Sequence, residues 1–290
     1  MSAGNDAAHA GRGGLQTADG VWLQPVKIYF ELKEKRLMTS NDIKSVAAAL
    51  TRGGRNTAFT GAGISTESGI PDYRSQGGIW DKYRPVYFDE FMSSREARVE
   101  YWRRWLESYT GMEEARPNAG HTALAQLYAR GFIKAVITQN IDGLHQASGL
   151  PDAAVIELHG NTRRVRCMRC KTIVSRQAAR QRLLDGDPAP ECDCGGYLKP
   201  DTVSFGQSMP LDKVNQAVAL AQNSDVFVVV GSTLLVQPAA HIPVLSKENQ
   251  AFLAIINLSK TPCDDLADAV IRDEAGRTLA AIARAVLDTV

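Results

Sequence analysis

Gly61-Ala62-Gly63-Ile64-Ser65-Thr66-Glu67-Ser68-Gly69-Ile70-Pro71-Asp72-Tyr73-Arg74 follows the short apolar run Thr57-Ala58-Phe59-Thr60, which reads as a buried strand. Two glycines one residue apart let a backbone turn tightly and approach a phosphate, and amide groups at a following helix start can hold it. The third glycine of the ordinary G-x-G-x-x-G fingerprint would fall at Thr66, so the stretch departs from that pattern. A strand followed by Gly-x-Gly is common in α/β proteins. The specificity lies in the whole run from Gly61 to Arg74 and in what surrounds it.

Working outward, Asn41 or Asp42 can cap a helix to about residue 52, ended by Gly53-Gly54. The spacing of Phe91, Val99, Trp102 and Leu106 predicts one helix over 89–110, and another is expected over 119–130, stopped by Gly131. Ile133 to Thr138 and Val155 to Leu158 read as strands. Val226–Val230 and Phe252–Asn257 are continuous apolar runs, as expected of strands covered on both faces. Strands alternating with helices imply an α/β fold with a doubly wound, Rossmann-like parallel sheet. Ligands of such sheets sit beyond the carboxyl ends of the strands. Polar residues fall at those ends: Gly61, Gln139-Asn140, His159, Gly231-Ser232-Thr233 and Asn257.

The bulk numbers exclude several classes. With 33 basic and 32 acidic residues the chain carries +1, so nothing points to nucleic acid or a membrane surface as a partner. Its apolar runs are too short to span a bilayer, and no secretory leader is evident, so a cytoplasmic location is expected. Residues 1–20 are rich in Gly, Ala, Asn and Asp without periodicity, the composition of a disordered tail. Lys33-Glu34-Lys35-Arg36 stands just before Met38, and a regular pattern begins near Asn41. Residues 1–40 are therefore expected to be a flexible extension, or a segment that is not translated because Met38 is the natural start.

Cys167-Met168-Arg169-Cys170 and Cys192-Asp193-Cys194 can place four thiolates around Zn²⁺. The second pair is C-x-C, one residue shorter than usual, and Gly195-Gly196 would ease its turn. Four thiolates leave no position for water, which makes the expected metal structural. Cys263 stands apart and reads as a small loop or core residue.

The chain resembles the sirtuins, the NAD-dependent protein deacylases. The resemblance rests on G-A-G-I-S at 61–65, G-I-P-D-Y-R at 69–74, T-Q-N-I-D at 138–142 and H-G at 159–160. The cysteine pairs, K-P-D-T-V-S-F-G at 199–206 and G-S-T-L-L-V-Q-P-A at 231–239 complete it. It implies a catalytic domain over 41–290: a large Rossmann-like part (41–75, 117–160 and 207–290), a helical insertion near 76–116 and a zinc ribbon near 161–202. The implied reaction moves the acyl group of a modified lysine to NAD as co-substrate, releasing nicotinamide and O-acyl-ADP-ribose. His159 is then the general base, because a neutral imidazole can accept a ribose hydroxyl proton. Asn140 and Asp142 would orient ribose and nicotinamide, although Asp142 could instead cap a helix.

By the same resemblance Gly61, Ala62, Gly63 and Ser65 approach the diphosphate and ribose, and Arg74 supplies charge to the phosphates. Tyr73 stands where the family often has phenylalanine and would shield the reacting carbon. Gln139 and Ile141 flank Asn140 in the same motif. Gly231, Ser232, Thr233, Asn257, Leu258 and Ala275 would hold the adenosine half. Val203, Phe205, Gly206 and Val236 would form walls on which an acylated-lysine peptide adds as a strand. His121, His145 and His241 read as structural.

Tyr101-Trp102-Arg103-Arg104 contains a Y-x-x-R similar to the pair used by sirtuins acting on succinyl-lysine, and Tyr101 with Arg104 could clamp a carboxylate. This element and G-I-P-D-Y-R resemble the mitochondrial and bacterial branch, which favours bulkier acyl groups. Protein mono-ADP-ribosylation or NAD hydrolysis could use the same pocket. A non-catalytic NAD sensor would not need both His159 and Asn140.

Overall fold

The computed structural model describes residues 40–72 and 84–289. Tyr73, Arg74 and the segment 1–39 lie outside the described residues. Nine strands lie among the described residues: β1 (Asn56–Thr60), β2 (Ala135–Thr138), β3 (Val155–Glu157), β4 (Gly160–Cys167), β5 (Ile173–Ser175), β6 (Leu198–Thr202), β7 (Val226–Val230), β8 (Phe252–Ile256) and β9 (Ala269–Ile271). Six of them form one sheet in the order β3-β2-β1-β7-β8-β9, every neighbouring pair parallel. The order reverses between β1 and β7, where the chain winds away to opposite edges. In doubly wound sheets this switch point opens a crevice at the carboxyl ends.

Alternate residues of each strand enter two separate cores, as a sheet covered on both faces requires. Ala58, Val136, Val228 and Ala254 pack with Val46, Leu50, Leu124, Leu279 and Ile282 of the helices over 40–52, Ala119–Ala129 and Ala275–Leu287. Phe59, Ile137, Val229 and Ile255 face the other way, toward Ala217, Ala221 and Ile242. Phe59 and Phe227 are fully buried, and removing each from water stabilises the fold by ~1.5–3 kcal/mol.

Strand ends shift by one or two residues, and two helices differ from the sequence reading. The helix expected over 89–110 is two helices, Phe88–Ser93 and Arg95–Glu114. Ser94 is extended, and its hydroxyl accepts from the Ala97 N–H, so it ends one helix and caps the next. Asn41 and Asp42 lie inside helical backbone over 40–52 rather than ahead of it.

The remaining strands form a small antiparallel sheet, β5-β4-β6. Its core of Val165, Cys167, Ala179 and Leu198 is closed by Trp102 and Trp105 of the helix Arg95–Glu114. Those rings meet edge to face at 5.1 Å, so the helix and the cysteine-bearing sheet share one core.

Candidate active site

At the switch point the loops after β1 and β7 lie on each other. The Gly61 N–H donates to the Val230 carbonyl at 3.0 Å, and the Gly63 N–H to the Gly231 carbonyl at 2.8 Å. A Cβ on Gly63 would stand 2.8 Å from the Gly231 Cα, and Gly231 itself has φ +62°. These glycines are therefore required by the packing of one loop on the other, in addition to any approach to a ligand. Glu67, itself in the cleft lining, anchors the same segment, its Oε1 accepting from Gly276 N–H at 2.6 Å at the start of the helix Ala275–Leu287.

A cleft of about 1220 Å³ runs over this crevice. Five strand ends reach it: Ala62 and Gly63 after β1, Gln139, Asn140 and Ile141 after β2, His159 after β3, Gly231, Ser232 and Thr233 after β7, and Asn257 and Leu258 after β8. Ala275 joins them, and Leu258 is 68% exposed on the rim. Gly61, Ser65 and Asp142 stand behind the wall rather than in it. Asn140 Nδ2 donates to the Gly61 carbonyl and to Ser65 Oγ, both at 3.1 Å. Ser65 Oγ donates to Asp142 Oδ2 at 2.8 Å, and Asp142 Oδ1 accepts from the Leu144 N–H at 2.8 Å. Asp142 thus holds the first amide of the helix Leu144–Ala147, one residue ahead of its N-cap Gly143, and fixes Ser65 at once. With Nδ2 held, the Asn140 amide keeps Oδ1 as the group it can offer a ligand.

His159 Nδ1 lies 3.0 Å from the Gln139 carbonyl, which can only accept, so Nδ1 carries the proton. Nε2 is left as the basic nitrogen of the neutral ring. Burial pushes its pKa below the ordinary histidine value, and the Gln139 bond partly opposes that. Gly160 follows with φ +73°, and a Cβ there would lie 2.0 Å from the Asp201 carbonyl, which accounts for the H-G pair. The His159 carbonyl accepts from Val203 N–H at 2.9 Å, tying the histidine to the segment after β6.

Val203, Phe205, Gly206 and Val236 line the same cleft, and Phe205 is 39% exposed. Tyr101 and Arg104 also line it, and each has protein partners of its own. The Tyr101 hydroxyl is 3.3 Å from Thr202 Oγ1. The Arg104 guanidinium is bonded to Glu100 Oε1 at 2.6 Å and to the Arg84 carbonyl. Sequence reasoning did not single out Trp105, whose indole N–H donates to Thr162 Oγ1 at 3.2 Å within the cleft lining. It also gave no role to the Thr60 and Thr138 hydroxyls, which look like ordinary strand residues. Among the residues read as structural, His121 and His145 are buried in ring contact at 5.1 Å.

Away from the cleft, the sulfurs of Cys167, Cys170, Cys192 and Cys194 all lie within 4.8 Å of one another, with Cys167–Cys194 at 3.5 Å and Cys170–Cys192 at 3.7 Å. Tetrahedral zinc with bonds of ~2.3 Å sets its sulfurs ~3.8 Å apart, so the C-x-C pair closes the site as well as a C-x-x-C would. Four thiolates fill the shell, and the zinc is structural.

Comparison with known proteins agrees with this geometry. A family model described as the Sir2 family matches residues 61–238. An NAD-dependent protein deacetylase of Rhodopseudomonas palustris is 46% identical over 241 residues, covering 83% of this chain and 95% of the relative. NAD-dependent protein deacetylase 1 of Bradyrhizobium diazoefficiens is 51% identical over 222 residues, covering 76% and 87%. A solved Sir2 enzyme from work on Sir2 mechanism and regulation superposes with TM-score 0.76 at 36% identity, covering 86% of this chain and 99% of that one. A Sir2–p53 peptide–NAD⁺ complex gives TM-score 0.73 at 35% identity, covering 83% and 95%. With the switch-point cleft, the histidine at its wall and the four-cysteine module in place, the chain belongs to the Sir2, or sirtuin, family.

Proposed function

We propose that this protein removes acyl groups from lysine side chains of other proteins, consuming NAD and releasing nicotinamide and O-acyl-ADP-ribose. The observation that carries the reading is His159: an imidazole on the cleft wall, fixed through Nδ1 and bonded through its own carbonyl to Val203. NAD, when bound, supplies a glycosidic carbon that the acyl oxygen can attack as nicotinamide leaves. Ala62 and Gly63 approach the diphosphate, and Ser232, Asn257 and Leu258 hold the adenosine half. Asn140 Oδ1 accepts from a ribose hydroxyl and sets the sugar's orientation. His159 Nε2 takes a ribose hydroxyl proton. Val203 and Phe205, facing Val236, hold the peptide as an added strand, so base and substrate share one backbone bond.

The acyl group is an uncharged one in this proposal. A dicarboxylic acyl group would compete for Arg104 with Glu100, which bonds Arg104 Nε and is held down to about 2 by its bonds to Arg103 and Arg104, so it stays charged at any working pH. A reducing, cytoplasmic setting suits four zinc thiolates and the buried thiol of Cys263. No helix among the described residues is long and apolar enough to cross a membrane.

Incubation with NAD and an acetyl-lysine peptide tests the reading. The expected result is nicotinamide release that requires peptide and yields O-acetyl-ADP-ribose. NAD consumption that proceeds equally without peptide would contradict it and indicate hydrolysis.

A further inference from the structure

Beneath the cleft floor lies a line of buried polar groups that touches no ligand-facing surface. Thr60 ends β1 and Thr138 ends β2, and the two are register partners. Thr60 Oγ1 donates to Thr138 Oγ1 at 2.8 Å, and Thr138 Oγ1 also accepts from the Asn140 N–H at 3.0 Å. His145 Nε2 lies 2.8 Å from Thr60 Oγ1. His145 Nδ1 has no partner among the described residues, so the ring's single proton belongs on Nε2, where it is donated to Thr60 and leaves the Thr60 proton for Thr138. The direction of the whole line follows: His145 Nε2–H to Thr60, Thr60 O–H to Thr138, with Asn140 N–H meeting Thr138 from the other side. The Thr60 carbonyl meanwhile accepts from Gln139 N–H at 3.0 Å, and the Gln139 carbonyl is the one that holds His159.

We propose that His145 is a positioning residue: through the Thr60 and Thr138 hydroxyls it fixes the backbone at Asn140, and with it the amide presented to the ribose. The inference rests on the reading of Asn140 given above. His145, Thr60 and Thr138 are each no more than 2% exposed, so no water competes for these bonds. Burial pushes His145 down to about 3, which keeps it neutral. Hydroxyl rotors in a dry interior have no alternative partner once the imidazole orients the first of them. His121 is the natural control. It touches the His145 ring, but its Nδ1 accepts from Asn118 N–H at 3.4 Å and it has no bond to either threonine.

Steady-state kinetics on the zinc-loaded full chain, well below each variant's melting temperature, provide the test. Thr60→Val keeps the shape and removes the hydroxyl; it should lower kcat roughly tenfold, the scale of one lost positioning bond, with KM for the peptide unchanged. Thr60→Ser restores the hydroxyl and should restore kcat. His145→Phe keeps the ring volume and should match Thr60→Val, and the double variant should be no slower than either single one, because both break the same line. His121→Phe should melt earlier with kcat unchanged. Wild-type kcat in Thr60→Val, or losses that multiply in the double variant, would overturn the proposal. Should His145→Phe fail to fold, the Thr60→Val and Thr60→Ser pair decides alone. Asn140→Ala separates the two layers: if it remains fully active, the reading of Asn140 is wrong. If it is inactive while Thr60→Val is normal, only the positioning role of His145 is lost.

Discussion

Burial lowers the pKa of His159 while the bond from Nδ1 to the Gln139 carbonyl partly restores it, and the net shift is downward. Only the neutral ring can take a proton, so activity should be lost on the acid side, with a midpoint below the ordinary ~6.5. A kcat/KM profile from pH 5 to 9 checks this; a midpoint above ~7 would contradict it. His159→Ala should abolish peptide-dependent nicotinamide release while NAD affinity changes by no more than about tenfold, since the ring acts on a proton rather than on cofactor binding. Glu100→Gln should raise turnover of succinyl-lysine peptide relative to acetyl-lysine peptide, because it frees part of the Arg104 guanidinium. An unchanged ratio would mean that Glu100 does not gate Arg104. His159 and Asn140 were legible from their motifs. The Glu100–Arg104 pair was not, because an acid four residues from an arginine on a helix looks like a solvated face. Nor was the Thr60–Thr138 line, since nothing in a β-strand threonine advertises the direction of its hydroxyl.

The zinc module and the helix Arg95–Glu114 depend on each other at the level of elements. Val165, Cys167 and Leu198 of the small sheet share one core with Trp102 and Trp105, flanked by Ala179, Leu106, Val174 and Leu183. Trp102 is fully buried, and Trp102→Ala should destabilise the protein by ~3–5 kcal/mol, read as a fall in the urea midpoint. Cys167→Ala, or chelation of the metal, should loosen β4 and β6 and lower activity indirectly, because the His159 carbonyl is bonded to Val203 just beyond β6. Full activity and an unchanged melting curve in metal-free protein would contradict this coupling. The four cysteines could be read from spacing alone. The break at Ser94 could not, because Phe91 and Val99 keep helical spacing across it, and only the extended Ser94 backbone reveals two helices.

Across the whole molecule, the strand order β3-β2-β1-β7-β8-β9 gathers five polar strand ends at one crevice. The parallel sheet was legible because short, largely β-branched, fully apolar runs such as Val226–Val230 alternate with helical spacing, as strands covered on both faces do. The gathering of the polar strand ends on one rim was legible with it; the direct packing of Gly63 on Gly231 was not, since it joins segments far apart in sequence. The two-sided core also buries His121 and His145, whose desolvation draws them to about 4 and about 3. The unfolded chain binds protons at both from ~6.5 downward, so stability should fall steadily as pH drops below ~6.5 and level off only near the folded values. Urea midpoints at pH 7, 6 and 5, above the range where most carboxylates titrate, check this; a constant midpoint would contradict it. The account as a whole turns on that crevice holding an oxidised nicotinamide dinucleotide. Calorimetric titration of NAD into the zinc-loaded chain should give one site per molecule, with the heat removed by Ala62→Asp, whose carboxylate would face the diphosphate, while the melting temperature shows that variant still folded. No heat with the wild-type protein, or equal binding to a folded Ala62→Asp, would contradict it.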